Sequence, residues 1–380
     1  MPDVYITRTS SYLPNAIVTN DEIEDYLGFI NDKGSRQKSL VLRSNKIKER
    51  YYAIDKQGNA THTNAELTSL AVKKLFDNTS NKIKEIDLLS CGTSSPDQMM
   101  PSHGVMVHGW LPEMESIEVT SPSGNCCSGM HALKYAFMSL RLGDKNKAVC
   151  TGSERLSKIM RAEHFEAEVQ ELIKLGENPY LAFEKDFLRW MLSDGAGAFL
   201  LESKANENDI SLRIDWMEAI SFANKEEVCM YMGADKLDSG ELKSYMEFTP
   251  AEASEKSIFS IKQDTRLLGK KIVELSFLKI PEIFKKHNIS SETFDYFLVH
   301  MSSYFFESKI AQHWDELDMH IPKEKWFTNL ATKGNVGAGS IYLMVDELFK
   351  SGKLRKGEKL LLVVPESSRF SYVYCHLTVC

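Results

Sequence analysis

The 380-residue chain lacks long apolar runs, and none approaches the roughly 18 residues that a membrane-spanning helix needs. Its first residues also lack the basic and apolar regions of a secretory signal peptide. We therefore expect a protein with no membrane span that works in the cytoplasm.

Cysteines are few and irregularly spaced, with seven in the chain and no CxxC pair. This usage argues against a disulfide framework and suits a reducing compartment. Structural zinc sites usually draw on paired cysteines, so the sequence predicts no metal and no cofactor.

The chain also has fewer basic than acidic residues, which gives it a formal net charge of −7. Nucleic-acid binding needs a basic face to contact phosphates, so we expect no nucleic-acid partner. An acidic protein partner would need a local basic patch.

The sequence does contain two copies of one pattern. Residues 87–95 match 295–303 at an offset of 208, and 124–129 match 334–339 at an offset of 210. A looser match joins 147–154 to 359–366 at an offset of 212. Three matches in the same order at nearly one offset indicate a duplicated unit.

Short apolar runs and helical patterns alternate within each copy. Strands are predicted at 86–90, 148–151, 197–201, 294–299 and 360–364, and amphipathic helices follow Cys127 and Asn335. This alternation predicts α/β layers with largely parallel sheets. The polar stretch 204–209 suggests two units, residues 1–205 and 206–380. Two polar segments, about 29–50 and 155–192, are interpreted as insertions, and the second could roof a pocket or a subunit interface or be a surface helix pair.

Three turns carry candidate chemistry. Cys127 lies where a loop enters a helix, where backbone N–H groups and the helix dipole favour a thiolate. It could be a nucleophile or an inert buried thiol, and the adjacent Cys126 adds a second choice. His300 follows an apolar strand and could be functional or structural. Asn335 lies between glycines and could donate to an oxyanion or cap the next helix.

Motifs in these turns resemble the thiolase fold, and within it the β-ketoacyl-acyl-carrier-protein synthase III family, over nearly the whole chain. The matching segments are 43–50, 125–129, 193–198, 300–303 and 334–340. The resemblance implies two duplicated α/β halves in a five-layered α/β/α/β/α sandwich, and catalytic positions at Cys127, His300 and Asn335. It selects Cys127 over Cys126 as the nucleophile.

One loop departs from the family pattern. Where the family has a glycine-rich loop that supplies an oxyanion-hole N–H, this chain has Glu366-Ser367-Ser368-Arg369-Phe370. With these departures the chain most resembles the ketosynthase–cyclases that form 1,3-cyclohexanedione precursors of dialkylresorcinols and bacterial stilbenes. The absence of Trp from residues 29–50 favours carrier-protein-bound substrates, although coenzyme A thioesters remain possible.

Such a condensation needs a base, and Glu154 is the candidate because burial at a strand end would raise its pKa. A surface carboxylate paired with Arg155 is the alternative. Substrate binding is expected at Arg43, Ser368 and Arg369, and Arg369 could also pair with Glu154.

A basic set completes the predicted site. Lys262, Arg266, Lys270 and Lys271 are spaced to share one helix face, which could dock an acidic acyl carrier protein or could simply be solvated. The function expected from the resemblance is a homodimeric ketosynthase–cyclase. The alternatives are a conventional decarboxylative synthase III that uses malonyl carrier protein, and a non-catalytic partner subunit.

Overall fold

The computed structural model describes residues 1–30, 38–77, 80–167 and 187–380. Parts of both polar segments, 29–50 and 155–192, therefore lie outside the described residues. The strands within the described ranges are β1 Tyr5–Tyr12, β2 Val18–Thr19, β3 Glu49–Arg50, β4 Leu88–Thr93, β5 Glu118–Thr120, β6 Lys147–Glu154, β7 Gly195–Glu202, β8 Leu212–Ser221, β9 Met230–Tyr231, β10 Ala234–Lys236, β11 Leu242–Ser244, β12 Lys262–Gln263, β13 Tyr296–Val299, β14 Lys359–Glu366 and β15 Ser371–Val379.

Helices alternate with these strands, as the periodicity predicts. Those used below are α1 Ile23–Leu27, α2 Lys38–Asn45, α3 Asn64–Lys74, α4 His103–Gly109, α5 Ser128–Arg141, α6 Pro250–Glu255, α7 Thr265–Leu278, α8 Ile280–His287, α9 Glu307–Glu316, α10 Leu330–Lys333 and α11 Ser340–Lys350.

Nine strands form one mixed sheet whose strand order repeats. In the first half β4, β6, β7 and β1 are neighbours, and in the second half β13, β14, β15 and β8 follow the same order. In each half the first pair is parallel and the next two are antiparallel. The half-sheets join where Tyr5 and Ile6 pair with Arg213 and Leu212. This repeated topology confirms the duplication.

The expectation of largely parallel sheets is wrong. Only β4–β5, β4–β6 and β13–β14 are parallel among the strand pairs of the large sheet. The reason is visible at β14 and β15, which are joined by only the four residues 367–370. A connection this short makes a hairpin, whereas a parallel pair needs a crossover of a dozen or more residues.

Three apolar clusters mark the spaces between five layers. One packs α3 and α4 on the first half-sheet, through residues such as Leu67 and Leu89. The central cluster joins α5 and α11 to both half-sheets, as with Leu133 and Leu348. The third packs α7, α8 and α9 on the second half-sheet and includes Trp314. The α/β/α/β/α order that we expected is the observed architecture.

The segment 155–192 contributes to the core where it is described. Trp190 and Met191 are buried and belong to the same apolar cluster as α7 and α9. Phe183 lies outside the described residues. Within the described ranges, no helix has both the length and the apolar character required to cross a membrane.

Candidate active site

The cysteine turn is closed by a carboxylate from the other half of the chain. Cys127 immediately precedes α5, and its backbone N–H donates to Glu366 Oε2 at 3.0 Å. The backbone N–H of Asn125 donates to the same oxygen at 2.9 Å. Asn125 in turn accepts from the backbone N–H of Ser128. The free N–H groups expected at the start of the helix are therefore occupied by Glu366.

The Cys127 side chain is completely buried. Its Sγ donates to the carbonyl oxygens of Val364 at 3.2 Å and Ser371 at 3.6 Å. Burial raises the pKa of the Cys127 thiol well above its ordinary value, and the Glu366 charge raises it further. The expected preference for a thiolate is therefore wrong for this conformation, because desolvation and the Glu366 charge outweigh the helix dipole.

The neighbouring cysteine and His300 line one narrow cavity. Its free volume is about 50 Å³, enough for a few water molecules but too small for an acyl chain without movement of the walls. The walls are mainly apolar side chains from α7, β13 and β14, and Cys126, His300 and Ser367 are among the other lining residues. The structure thus brings Cys126, rather than Cys127, to the cavity that His300 shares.

His300 follows β13, and its backbone N–H donates to the carbonyl oxygen of Val363. The ring is buried, and Nε2 has no hydrogen-bond partner among the described residues. Burial lowers the pKa of His300 to about 4, so the imidazole is neutral near pH 7. An unpartnered, neutral Nε2 beside an apolar cavity is able to hydrogen-bond to a thioester carbonyl.

Asn335 lies in the matching turn of the second half. Its Oδ1 accepts from the backbone N–H of Gly337 at 2.9 Å, which leaves the side-chain amide hydrogens as donors. Its backbone is fixed by hydrogen bonds to Met191 and Ser193. Gly339, not Asn335, caps α11, so the helix-cap alternative does not apply.

Glu154 ends β6 and lies directly behind the asparagine turn. Its carboxylate accepts from Ser95 Oγ at 2.6 Å, from Ser94 Oγ at 2.8 Å and from the backbone N–H of Ala338 at 3.2 Å. Burial raises the pKa of Glu154 to about 7, against the opposing effect of these hydrogen bonds. It is fully buried, so the alternative of a surface carboxylate is wrong.

Glu154 and Glu366 are the ends of matching strands, and each holds the other half's turn. Glu154 accepts from Ala338 beside Asn335, and Glu366 accepts from Cys127. Our sequence reasoning did not assign a role to Glu366. The offset of 212 between the copies contained the signal, because it pairs Glu366 with Glu154.

The predicted substrate-binding residues lie in different surroundings. Arg369 is exposed, and its Nε donates to the carbonyl oxygen of Glu226, so its predicted pairing with Glu154 is wrong. Ser368 Oγ donates to Glu366 Oε1 at 2.7 Å, which places it next to the cysteine turn. Arg43 is exposed in the last turn of α2.

The predicted basic helix face loses one member. Lys262 lies in β12 and is buried against Asp235, so the prediction that it shares the helix face is wrong. Arg266, Lys270 and Lys271 are on α7. Lys271 pairs with Glu226 at 3.3 Å, whereas Arg266 and Lys270 are exposed. Lys262 is not on the helix because α7 begins only after its N-cap, Asp264. The helical spacing therefore does not extend back into β12.

No three His, Cys, Asp or Glu side chains are placed to hold a metal ion in the parts of the chain that the structure describes.

Two family profiles match the chain. Residues 118–207 match the N-terminal domain of β-ketoacyl synthases, and residues 284–364 match the C-terminal domain of 3-oxoacyl-[acyl-carrier-protein (ACP)] synthase III. The first range contains Cys127 and Glu154, and the second contains His300 and Asn335.

Similar curated proteins cover nearly the whole chain. A β-ketoacyl-[acyl-carrier-protein] synthase III from Chlorobaculum tepidum is 24% identical over 94% of this chain and 94% of its own length. One from Clostridium botulinum is 26% identical over 96% of this chain and 95% of its own length.

Solved structures show the same thiolase fold. AbyA1, a tetronic acid condensing enzyme, aligns with a TM-score of 0.75 at 19% identity over 99% of both chains. Acetamide-bound OleA from Xanthomonas campestris aligns with a TM-score of 0.72 at 16% identity, covering 99% of this chain and 98% of its own.

Proposed function

We propose that this chain is a condensing enzyme of the β-ketoacyl-acyl-carrier-protein synthase III type, which transfers acyl groups and forms carbon–carbon bonds, and more specifically a ketosynthase–cyclase. Profile matches in both halves and curated relatives 24–26% identical over nearly the whole chain support this proposal. In this proposal it joins an α,β-unsaturated acyl chain to a β-ketoacyl-carrier-protein thioester. The product closes to a 1,3-cyclohexanedione, the precursor of a dialkylresorcinol, when the carbon on the far side of the keto group loses a proton and adds to the β carbon of the double bond, whose α carbon takes up a proton.

The first step is acyl transfer to Cys127. The thiol sulfur forms a bond to the acyl carbonyl carbon, the donor's carbon–sulfur bond breaks, and the thiol proton goes to the departing thiolate. Cys127 lies at the start of α5, where a backbone N–H can stabilise the oxyanion that forms. For this to occur, the Cys127 turn has to open toward the cavity that Cys126 lines in the resting structure.

The second step is carbon–carbon bond formation. The β-ketoacyl substrate loses a proton from the carbon between its two carbonyls, and that carbon attacks the acyl-cysteine as the Cys127 carbon–sulfur bond breaks. Neutral His300 and the Asn335 amide donate to the thioester oxygen as the enolate forms. Glu154 accepts the proton, directly or through the serines that contact it.

One observation carries the proposal of a cyclase: a buried carboxyl whose pKa is raised to about 7 lies against the asparagine turn. A general base is most effective when its pKa is near the working pH. Decarboxylation of a malonyl group generates its carbanion by loss of CO2 and does not need such a base. The β-ketoacyl substrate keeps all its carbons, so a protein group has to take its proton.

The similar proteins support the partner assignment. The curated relatives are named as acyl-carrier-protein enzymes, and one OleA structure contains lauric acid and lauroyl-CoA. We propose that this chain takes acyl and β-ketoacyl carrier-protein thioesters, with coenzyme A thioesters as possible donors, and works as a cytoplasmic homodimer. We propose that bound substrate contacts Arg43, Ser368 and Arg369.

The test offers the purified protein an acyl thioester together with β-ketoacyl or malonyl carrier protein, the latter labelled with ¹³C at its free carboxyl. We expect a cyclohexanedione by mass spectrometry from the β-ketoacyl partner. Labelled CO2 with a linear β-ketoacyl product from the malonyl partner would instead identify a decarboxylative synthase.

Intact-protein mass after the acyl thioester alone tests the nucleophile. Cys127→Ala should abolish the acyl adduct, whereas Cys126→Ala should retain it. An adduct that survives in Cys127→Ala and disappears in Cys126→Ala would assign the nucleophile to Cys126. A protein that takes up no acyl group from any donor would fit the alternative of a non-catalytic subunit.

The variant Glu154→Gln tests the base. It should still form the acyl-cysteine at a rate near that of the unmodified protein, while condensation falls by about 100-fold or more, the usual contribution of a general base. Equal losses in both steps would show that Glu154 only supports the fold of the asparagine turn.

A further inference from the structure

The position of Glu366 bears on how acylation can begin. Its Oε2 is 2.9 Å from the backbone N of Asn125 and 3.0 Å from the backbone N of Cys127. Its Oε1 accepts from Ser368 Oγ at 2.7 Å. Glu366 is 7% exposed, and two backbone hydrogen bonds hold its carboxylate on the cysteine turn.

The N–H of Cys127 is the group that an acyl-cysteine would use. It lies at the start of a 14-residue helix, adjacent to the sulfur that receives the acyl group. A tetrahedral oxyanion at that sulfur would need this donor, which already has a carboxylate oxygen as its acceptor. Two anions competing for one N–H would repel each other, so the oxyanion cannot form there while Glu366 stays in place.

The same contact fixes where the thiol points. With Glu366 in place, Cys127 Sγ donates to Val364 and Ser371, which lie on the two strands of the hairpin that carries Glu366. Cys126 occupies the cavity wall instead. The turn and the hairpin therefore have to separate together.

We propose that Glu366 is a positioning residue that holds the nucleophile turn closed, and that its carboxylate must leave the Cys127 N–H before acyl transfer can take place. This inference rests on the proposed role of Cys127 as acyl acceptor. Gln263 Nε2 donates to Ser367 Oγ at 3.1 Å, which connects the hairpin to β12 at the cavity edge. In this proposal, substrate displaces the hairpin at that contact.

The test measures access to Cys127 without relying on a substrate. Iodoacetamide is added to the full-length protein, and peptide mass spectrometry follows alkylation of Cys126 and Cys127 separately over a range of pH. Glu366→Ala should alkylate at Cys127 about tenfold faster than the unmodified protein, because a buried thiol near an anion is a poor nucleophile. The pH midpoint should move downward.

Several groups face the Cys127 thiol and enter the interpretation of that pH profile. Glu366 and Cys126 raise its pKa, and Tyr372 and Tyr374 of β15 lie near enough for the thiolate to raise theirs. Of these, Glu366 is the acidic side chain that the variant removes.

Conservative variants separate charge from fold. Glu366→Asp should restore slow labelling in part, and Glu366→Gln should label at an intermediate rate, because it keeps an acceptor oxygen without the charge. Glu358→Gln, on the turn before β14, is the matched control and should label like the unmodified protein. Melting temperatures check that each variant is folded.

Unchanged labelling of Cys127 in folded Glu366→Ala would overturn the inference. So would faster labelling that Glu366→Asp does not reverse, because that pattern describes a general loosening of the hairpin. If the unmodified protein accepts no acyl group at all, the proposed function fails while the labelling result still reports on the closed turn.

Discussion

At the scale of single residues, two buried glutamates hold the turns that carry Cys127 and Asn335. Glu154 and Glu366 each accept backbone N–H groups from a turn in the opposite half. A carboxylate is a stronger acceptor than a carbonyl oxygen, and each oxygen can take more than one donor. This lets one side chain fix the geometry of a whole turn.

Glu154 should make stability depend on pH. Burial raises its pKa to about 7 in the folded protein from an ordinary value of 4.5. The protonated carboxyl therefore stabilises the folded protein relative to the ionised carboxylate. This stabilisation is fully present below about pH 4.5 and is lost as the pH rises through about 7. The glutamine in Glu154→Gln does not titrate and so does not show this loss. Between those pH values, the free energy of unfolding of the variant should therefore rise by on the order of 3 kcal/mol relative to that of the unmodified protein.

Urea unfolding at several pH values measures that difference. Glu113→Gln, at an exposed position, provides the control and should show no comparable trend. A difference between Glu154→Gln and the unmodified protein that stays constant from pH 4.5 to 7.5 would contradict the raised pKa.

At the scale of elements, the two turns meet because glycines let helices and strands approach. A methyl group on Gly152 of β6 would overlap the carbonyl oxygen of Ala338 and lie 2.9 Å from Tyr342 Cδ2. A methyl group on Gly92 of β4 would overlap the Ser128 carbonyl at the start of α5. These glycines let the central helices pack closely on the sheet.

Gly152→Ala should therefore lower the free energy of unfolding by about 1–3 kcal/mol, as overpacking in a core typically does. The rate of condensation by the folded variant should also fall, because the asparagine turn is displaced. Gly269→Ala is the control, since a methyl group at Gly269 in α7 meets no described atom within 4 Å and should stabilise the helix by up to about 1 kcal/mol. Similar unfolding curves for both variants would contradict this account.

Element identity was readable from the sequence, whereas sheet direction was not. The apolar runs at 148–151 and 360–364 lie within β6 and β14, and helices follow both turns as their spacing predicts. Periodicity reports which face of an element is buried, but it does not report which neighbour the strand pairs with. The short hairpin at 367–370 imposed the antiparallel pairing that the alternation of elements did not reveal.

The site residues also include some that the sequence predicts and some whose surroundings only the fold reveals. Short motifs in the sequence predicted Cys127, His300 and Asn335 as site residues, and their catalytic roles stay predictions. The closed state of Cys127 was not predictable, since it arises from Glu366, a residue 239 positions away in the sequence. Lys262 was misplaced because helical spacing was read across a strand and a helix cap.

At the scale of the whole molecule, a protein with a net charge of −7 would have to attract the proposed acidic carrier protein through a local basic surface. In the described part of the chain, Arg266 and Lys270 are exposed on α7 and take part in no ion pair. The same helix lines the cavity through its apolar face, with Leu268 and Ile272 among the contacts. A carrier docked on the exposed face would thus deliver its thioester beside the cavity.

Reversing both charges, as Arg266→Glu with Lys270→Glu, should raise the KM for a carrier-protein thioester about tenfold at low salt and leave kcat unchanged. The effect should shrink as salt screens the interaction. A small N-acetylcysteamine thioester should show no change, because it has no charged surface to dock. The double variant Lys353→Glu with Lys356→Glu changes the net charge by the same amount on another exposed loop and should leave KM near its original value. If both double variants raised KM equally, net charge rather than the α7 surface would govern docking.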